Sequence, residues 1–396
     1  MRGFSEDLSL ALTPETRREF RLAATLSGVI GLRMLGLFLI LPVFMVLARD
    51  VPGFTPWLGG LALGAYGLTQ ALLQQPFGWL SDRLGRRPVL LGGLVLFALG
   101  GVVAATAESM TGLVVGRALQ GCGAVAGVAM AFAADYTRPE RRPVVLAVIG
   151  IGIGAAFLLS LLASVPVASR LGLSGLFWLT VGLAVVGMLL VLTTPRGGAV
   201  ATDAASDALT TTPESRWEIR ILAAAVFLLH AVMTALFVVL PGRLEVRYGL
   251  ELAAHWHLYV PAMLGSLIFA LPVLAWTGRT GRERTVLPWA FAVLGAALLL
   301  LQAASDVTWA AVALAVYFSA FNVLEAAMPA RVARLSGTRG RGRRMGLYST
   351  FQFLGAFVGG AGGGLVLQRS GAASTLLIAA GLSLLWSAVI AVVRSR

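Results

Sequence analysis

Twelve stretches of this sequence are too apolar, over too great a length, to face water, and only short polar connections separate most of them. A segment that crosses lipid must satisfy its own backbone hydrogen bonds, which leaves a helix of about 20 residues or a strand of about 10 in a closed barrel. The runs lie at roughly 22–47, 57–80, 88–107, 112–135, 143–168 and 174–193, then at 219–241, 256–277, 286–304, 307–330, 345–367 and 373–393. Their lengths select helices. The expected fold class is therefore an all-α polytopic membrane protein with twelve transmembrane helices. Residues 194–216 are rich in Thr, Ala, Gly, Pro and acids and hold no run that could span. This places a six-helix bundle at 1–193, a linker at 194–218 and a second six-helix bundle at 219–396.

Composition agrees: 58% of residues are apolar and 12% charged, against about 45–50% and 25% in soluble domains. A net charge of +13 would suggest nucleic acid in a soluble chain, but here it must first be placed relative to the membrane. All 31 basic residues are arginine. With the first connection outside, and Arg220 at the start of the seventh run counted with the connection before it, 24 of them fall in the termini and even-numbered connections, five on the other face and two deep inside runs. Cytosolic loops carry the arginine excess, so both termini are expected in the cytosol, with the chain multi-pass in the cytoplasmic (inner) membrane. The arginine-glycine stretch Arg339-Gly340-Arg341-Gly342-Arg343-Arg344 then reads as an anchor to lipid headgroups, and no nucleic-acid partner is expected. Cys122 stands alone, so no disulfide framework exists. Three scattered histidines, no phosphate-binding glycine loop and no Ser/His/Asp constellation point away from an enzyme, a metal site or a cofactor.

The most informative loop is Gly78-Trp79-Leu80-Ser81-Asp82-Arg83-Leu84-Gly85-Arg86-Arg87-Pro88-Val89-Leu90. It resembles, position by position, the G-x-L-a-D-r-x-G-r-k-x-x-l signature between the second and third helices of the major facilitator superfamily. A related turn follows the eighth run, Gly278-Arg279-Thr280-Gly281-Arg282, without the acid. Within that family the chain is similar to the YajR-like drug and proton antiporters, through Gly31-Leu32-Arg33-Met34-Leu35-Gly36, Tyr66-Gly67-Leu68-Thr69-Gln70 and Phe321-Asn322-Val323-Leu324-Glu325. The resemblance implies two pseudo-symmetric bundles related by an axis along the membrane normal, a site between them, and secondary transport by alternating access. It also implies a small-molecule substrate exchanged for protons, in a protein expected to act as a monomer in lipid. Exporter-type members carry a glycine-proline pair late in the fifth helix. The matching positions here read Ser164-Val165-Pro166, so antiport must be argued from other residues. An importer or uniporter, or a membrane sensor that keeps the fold without flux, stays open as an alternative. The chain ends at Arg396, and the small soluble domain that some members append is expected to be missing.

Candidate residues follow. Asp82 at a helix boundary can accept from backbone N–H groups, either as a gate broken when the bundles move or as a plain turn cap. Arg83, Arg86 and Arg87 are its partners or anchors. Gly78 is expected to allow close helix approach and Gly85 a positive φ. Arg117-Ala118-Leu119-Gln120-Gly121-Cys122-Gly123 resembles the family's R-x-x-x-G-x-G signature, which implies a part in proton coupling for Arg117. It lies about five residues, roughly 8 Å, inside the run, so it either snorkels or faces an interior stripe with Gln120. Arg33, about eleven residues into the first run, is too deep to snorkel easily. Glu325 has Asn322 on its face of the tenth helix and is a proton carrier or the structural partner of an arginine. Asp135 closes the fourth run and is grouped with Arg33, Arg117 and Glu325 for proton coupling, or serves structurally in a local pair with Arg138 or in the gate network. Tyr66, Gln70 and Gln74 form a polar face on the second helix, and Tyr348 and Gln352 on the eleventh. These, with Gln120, His230 and Asn322, line the substrate cavity or act as interhelical glue.

Overall fold

The computed structural model describes residues 14–138, 141–195, 213–336 and 341–395, and every regular element among them is helical. Residues 196–212, the centre of the expected linker, and Arg339 and Gly340 of the arginine-glycine connection lie outside the described residues. The helices are α1 (Pro14–Ile40), α2 (Pro56–Leu84), α3 (Arg86–Ala105), α4 (Met110–Cys122), α5 (Ala126–Asp135), α6 (Arg142–Leu192), α7 (Pro213–Tyr248), α8 (Trp256–Thr280), α9 (Glu283–Ala303), α10 (Val307–Leu335) and α11 (Arg341–Ser395).

Local chemistry sets these boundaries. α2 starts where Thr55 accepts from the Leu58 N–H and Pro56 occupies the first turn, and it ends at Gly85, whose φ of +90° suits glycine. α4 starts on the Ser109 hydroxyl, which accepts from Gly112, and α10 on the Asp306 carboxylate, which accepts from Thr308 and Trp309. The first run, read as one helix to residue 47, instead ends at Ile40, because Pro42 brings no N–H; the chain continues as a short helix, Phe44–Leu47, and a 3-10 turn, Ala48–Asp50. The fourth run is broken at 123–125 between α4 and α5. The fifth and sixth runs join in α6, and the eleventh and twelfth in α11, each pair meeting at a glycine: Gly172 (φ 64°, ψ −172°) and Gly371 (φ 82°, ψ 177°).

Nine stretches among the described residues are long and apolar enough to cross a membrane. Two of them, at 45 and 49 residues, hold the merged pairs, and α2, at 29 residues but richer in glycine and glutamine, adds the last of twelve crossings. Apolar side chains cover the outside, among them Ile151 at 71% and Ile268 at 70% exposure, a surface suited to lipid and costly in water.

The crossings form two six-helix bundles of matching design: α1 packs against α6 in the first as α7 packs against α11 in the second. An even number of crossings puts the described chain ends on one face, the terminal face. On the opposite face the bundles are closed together. One apolar core joins Ile40, Leu41, Phe44, Met45 and Leu63 of the first bundle to Leu236, Leu240 and Tyr259 of the second. A separate core near the terminal face, with Leu22, Leu26, Val89, Phe132 and Val191, holds residues of the first bundle alone. The molecule is thus sealed on the opposite face and parted towards the terminal face.

Candidate functional site

The seal is a seam of small residues between α2 and α11. A Cβ added at Gly64 would lie 2.7 Å from the Phe357 carbonyl oxygen, and one at Gly60 would fall on the Gly360 oxygen and 2.8 Å from the Gly364 Cα. Only glycine permits this approach. Trp57 N–H donates to Gln368 Oε1 at 3.1 Å, and Arg49 pairs with Glu245 at 2.6 Å, both from one bundle to the other.

At the terminal face the signature loop forms a network inside the first bundle. Arg86 pairs with Asp82 at 2.5 Å and Asp135 at 2.8 Å and donates to the Ser81 hydroxyl at 2.6 Å. Asp135 therefore belongs to the network of the signature loop. Arg87 donates to the Leu192 carbonyl at 2.7 Å, which ties the loop to the last turn of α6, and Arg83 stacks over Trp79 at 3.9 Å. Asp82 keeps 62% of its side chain exposed. The close helix approach expected at Gly78 is not found: a Cβ there would meet nothing within 4 Å.

Deeper in the first bundle Arg33 and Arg117, both 1% exposed, flank one ring. Their guanidinium carbons lie 5.6 and 4.9 Å from the Tyr66 ring centre, and Arg33 is also 5.6 Å from that of Phe97. Aromatic faces partly offset the cost of two buried cations. Arg33 donates to Gln70 at 2.5 Å, Gln70 to Gln74 at 3.2 Å, Arg117 to Gln120 at 2.8 Å, and Gln120 to Thr180 at 3.0 Å. α4 comes close enough for this because Gly121 sits on the Tyr66 carbonyl, where a Cβ would collide. Gln70 and Gln120, expected on the cavity or as glue, are fully buried here and bond within the bundle, and Tyr66 is 2% exposed. Arg117 faces inward and does not snorkel. Thr180 completes the group, but a lone threonine in an apolar run carries no sequence signal.

The second bundle brings together Glu325 (α10), His230 (α7) and Gln352 (α11). Gln352 Nε2 lies 2.8 Å from His230 Nε2 and donates to Glu325 Oε1 at 3.2 Å; Glu325 Oε2, buried and without a hydrogen-bond partner, is 3.6 Å from His230 Nε2. Glu325 keeps 38% of its side chain exposed although it lies mid-helix, so it borders open space between the bundles. The arginines Arg331 and Arg334, one and a half to two and a half turns on, pair instead with Glu218 and Glu283. Asn322 donates to Ser266 on α8 at 3.0 Å. Tyr348 is 4% exposed and its hydroxyl has no partner. Phe157 of α6, which the sequence did not single out, packs near Phe318 and Phe321 across the gap at 6.5 and 6.4 Å.

Two helical bundles, closed on one face and parted on the other around buried ionisable side chains, define a polytopic transporter. The Major Facilitator Superfamily profile matches residues 26–262 and 222–396. The chain belongs to that family and is a transporter rather than an enzyme. It is 35% identical over 385 residues to the inner membrane transport protein YajR of Escherichia coli (strain K12), covering 96% of this chain and 84% of the relative. It is 37% identical over 118 residues to the class C tetracycline resistance protein of Escherichia coli, covering 29% and 30%. The fold superposes on a D-xylose-proton symporter with a TM-score of 0.76 at 14% identity, over 93% of this chain and 96% of that one.

Proposed function

We propose that this transporter exports an amphipathic small molecule in exchange for protons, and that residues 1–193 and 219–396 rock about a central site while joined by the linker 194–218. The protein sits as a monomer among the lipids of the cytoplasmic membrane, a location that the name of its YajR relative supports, with the terminal face in the cytosol as the arginine excess implies. The conformation described is then open to the cytosol. Glu325 carries the reading: a carboxylate at the wall between the bundles, without an arginine partner among the described residues, can bind and release a proton as access alternates. Asp82, Arg83, Arg86, Arg87, Gly85 and Asp135 form the cytosolic gate. Arg33 and Arg117 act through the first bundle, and Asn322, Gln352, Tyr348 and His230 shape the substrate side. Partial similarity to a tetracycline resistance protein supports export.

Glu325→Gln keeps the shape and removes the titrating group, so pH-driven exchange in everted vesicles should be lost while substrate binding persists. Transport at the native rate with native pH dependence refutes the assignment. Because the glycine-proline pair of exporters is absent at Ser164-Val165-Pro166, symport is the competing reading. Substrate uptake that alkalinises the vesicle lumen supports antiport, and uptake that acidifies it supports symport.

A further inference from the structure

His230 has two ring nitrogens and only one of them can accept a hydrogen bond here. Nδ1 lies 3.1 Å from the Val226 carbonyl oxygen. A carbonyl accepts only, so Nδ1 carries the hydrogen and, in the neutral ring, the single lone pair sits on Nε2. That lone pair receives the Gln352 amide at 2.8 Å, and the same amide nitrogen donates to Glu325 Oε1 at 3.2 Å. A second donor is close by. Glu325 Oε2 is 3.6 Å from the same Nε2 and has no hydrogen-bond partner. While ionised, this oxygen cannot donate; once protonated, it needs to move about 0.8 Å to reach hydrogen-bond range.

Resting on the reading of Glu325 as the proton carrier, we infer that His230 couples that proton to movement: its one lone pair is held by the Gln352 amide when Glu325 is ionised and by the Glu325 hydroxyl when it is protonated, so that proton uptake frees the Gln352 side chain of α11 from His230 of α7 while the two helices stay packed at Gly355 and Gly359. The proton is taken up by the Glu325 carboxylate and comes to rest on the buried Oε2, and no other covalent bond changes. His230 is a positioning residue in this scheme and stays neutral. The freed side chain lies on the helix that forms the seal. Phe353, next to Gln352, lies edge-on to Tyr66 of α2 at 6.5 Å, and a Cβ at Gly67 would be 3.2 Å from the Phe357 N. A change at Gln352 is therefore felt one residue later at the seam between the bundles.

The groups that face Glu325 leave few rivals for the role. His230 from α7 lies 3.6 Å from its Oε2 as a neutral ring, and α11 contributes Tyr348 and Gln352. The titratable residues of α8 sit at its ends, as His257, Tyr259 and Arg279, and in α9 Glu283 at the terminal face is held by Arg334. Across the gap α6 presents Phe157.

The test is a pH titration of the carboxyl stretching band by infrared difference spectroscopy on the full chain reconstituted in lipid, with no substrate added. The band lost in Glu325→Gln is assigned to Glu325. His230→Phe removes the acceptor that favours the protonated carboxyl, so the band should appear at a pH about one unit lower, tenfold in proton concentration and the size of one hydrogen bond. His230→Gln restores an acceptor and should recover at least half of that shift. Gln352→Leu removes the competitor without touching His230, so the band should appear at higher pH. A band lost in Glu325→Gln but unmoved by both His230→Phe and Gln352→Leu overturns the competition for the lone pair while leaving the proton carrier in place. A titrating band that survives Glu325→Gln overturns the carrier itself and, with it, this inference.

Discussion

Adding one methyl group at Gly60 should reverse the face on which the molecule is closed. The new Cβ of Gly60→Ala would clash with the Gly360 carbonyl oxygen and lie 2.8 Å from the Gly364 Cα, where carbon atoms normally keep about 3.5–4.0 Å. Both neighbours are backbone and cannot rotate away, so α2 and α11 must part by roughly an ångström. Overpacking of this kind costs about 1–3 kcal/mol, and it is paid only in the conformation that brings the seam together. The gain in helix propensity from Gly to Ala is the same in both conformations and cancels in the ratio. The sealed state should therefore lose ground by a factor of about 5 to 150. Ala48 reports the change: it is 0% exposed in the closed core on the opposite face, and Ala48→Cys, with Cys122 replaced by serine, should be labelled faster by a membrane-impermeant maleimide once Gly60→Ala is added. Gly355→Ala is the control, since its Cβ would strike the Phe227 carbonyl inside the second bundle. It should lower folded yield without raising Ala48→Cys labelling in the protein that survives. Unchanged labelling in folded Gly60→Ala protein would refute the seam as the seal.

Asp82→Asn should act in the opposite sense, since a carboxylate docked at the start of α11 would contribute about 0.3–2 kcal/mol to the state closed at the cytosol; Ala48→Cys labelling should fall, by up to about thirtyfold, and an unchanged rate returns Asp82 to turn capping. Arg117→Lys keeps the charge but not the planar stack on Tyr66, so pH-driven exchange should drop about fivefold or more with little loss of expression, and equal exchange removes Arg117 from coupling. The Asp306 carboxyl is held below its ordinary range first by the Trp309 N–H and then by the Ser305 hydroxyl and the Thr308 N–H. A depressed folded-state value makes its contribution fully present above the ordinary carboxylate range and lost as pH falls below about 4. The drop in melting temperature from neutral to acid pH should shrink in Asp306→Asn, and an identical drop sinks the capping account.

Helix number, the signature loop and the polar residues inside apolar runs were all legible in the sequence because each is a local departure from a strong background. An arginine at position 33 or a glutamate at 325 stands out among leucines and alanines. Their companions do not. The sequence marks Gln120 but cannot show that its amide reaches Thr180, 60 residues away, nor that His230 and Glu325 are brought together through Gln352. The turns at Gly172 and Gly371 fall where the apolar runs part, between 168 and 174 and between 367 and 373, whereas the break at 123–125 inside the fourth run was hidden, because glycine is too frequent here, with 47 in the chain, for Gly121 and Gly123 to announce it. Pro42 was readable as a helix breaker, but the apolar run around it outweighed that signal. The seal is the largest omission. Arg49 and Glu245 are 196 residues apart, and nothing in either neighbourhood points to the other.

The distribution of ion pairs explains how so much packing can still be reversible. On the terminal face the described pairs, Arg86 with Asp82 and Asp135, Glu19 with Arg138 and Arg141, Glu218 with Arg331 and Glu283 with Arg334, each stay inside one bundle. On the opposite face Arg49–Glu245 crosses between bundles, but with 41% and 23% exposure it adds no more than about 1 kcal/mol. What holds that face shut is the glycine seam and its apolar surroundings, whose helices can also pull apart without leaving a buried charge unpaired. A two-state machine works when its states differ by only a few kcal/mol. Keeping the strong charged contacts within the bundles and leaving weak contacts between them meets that condition.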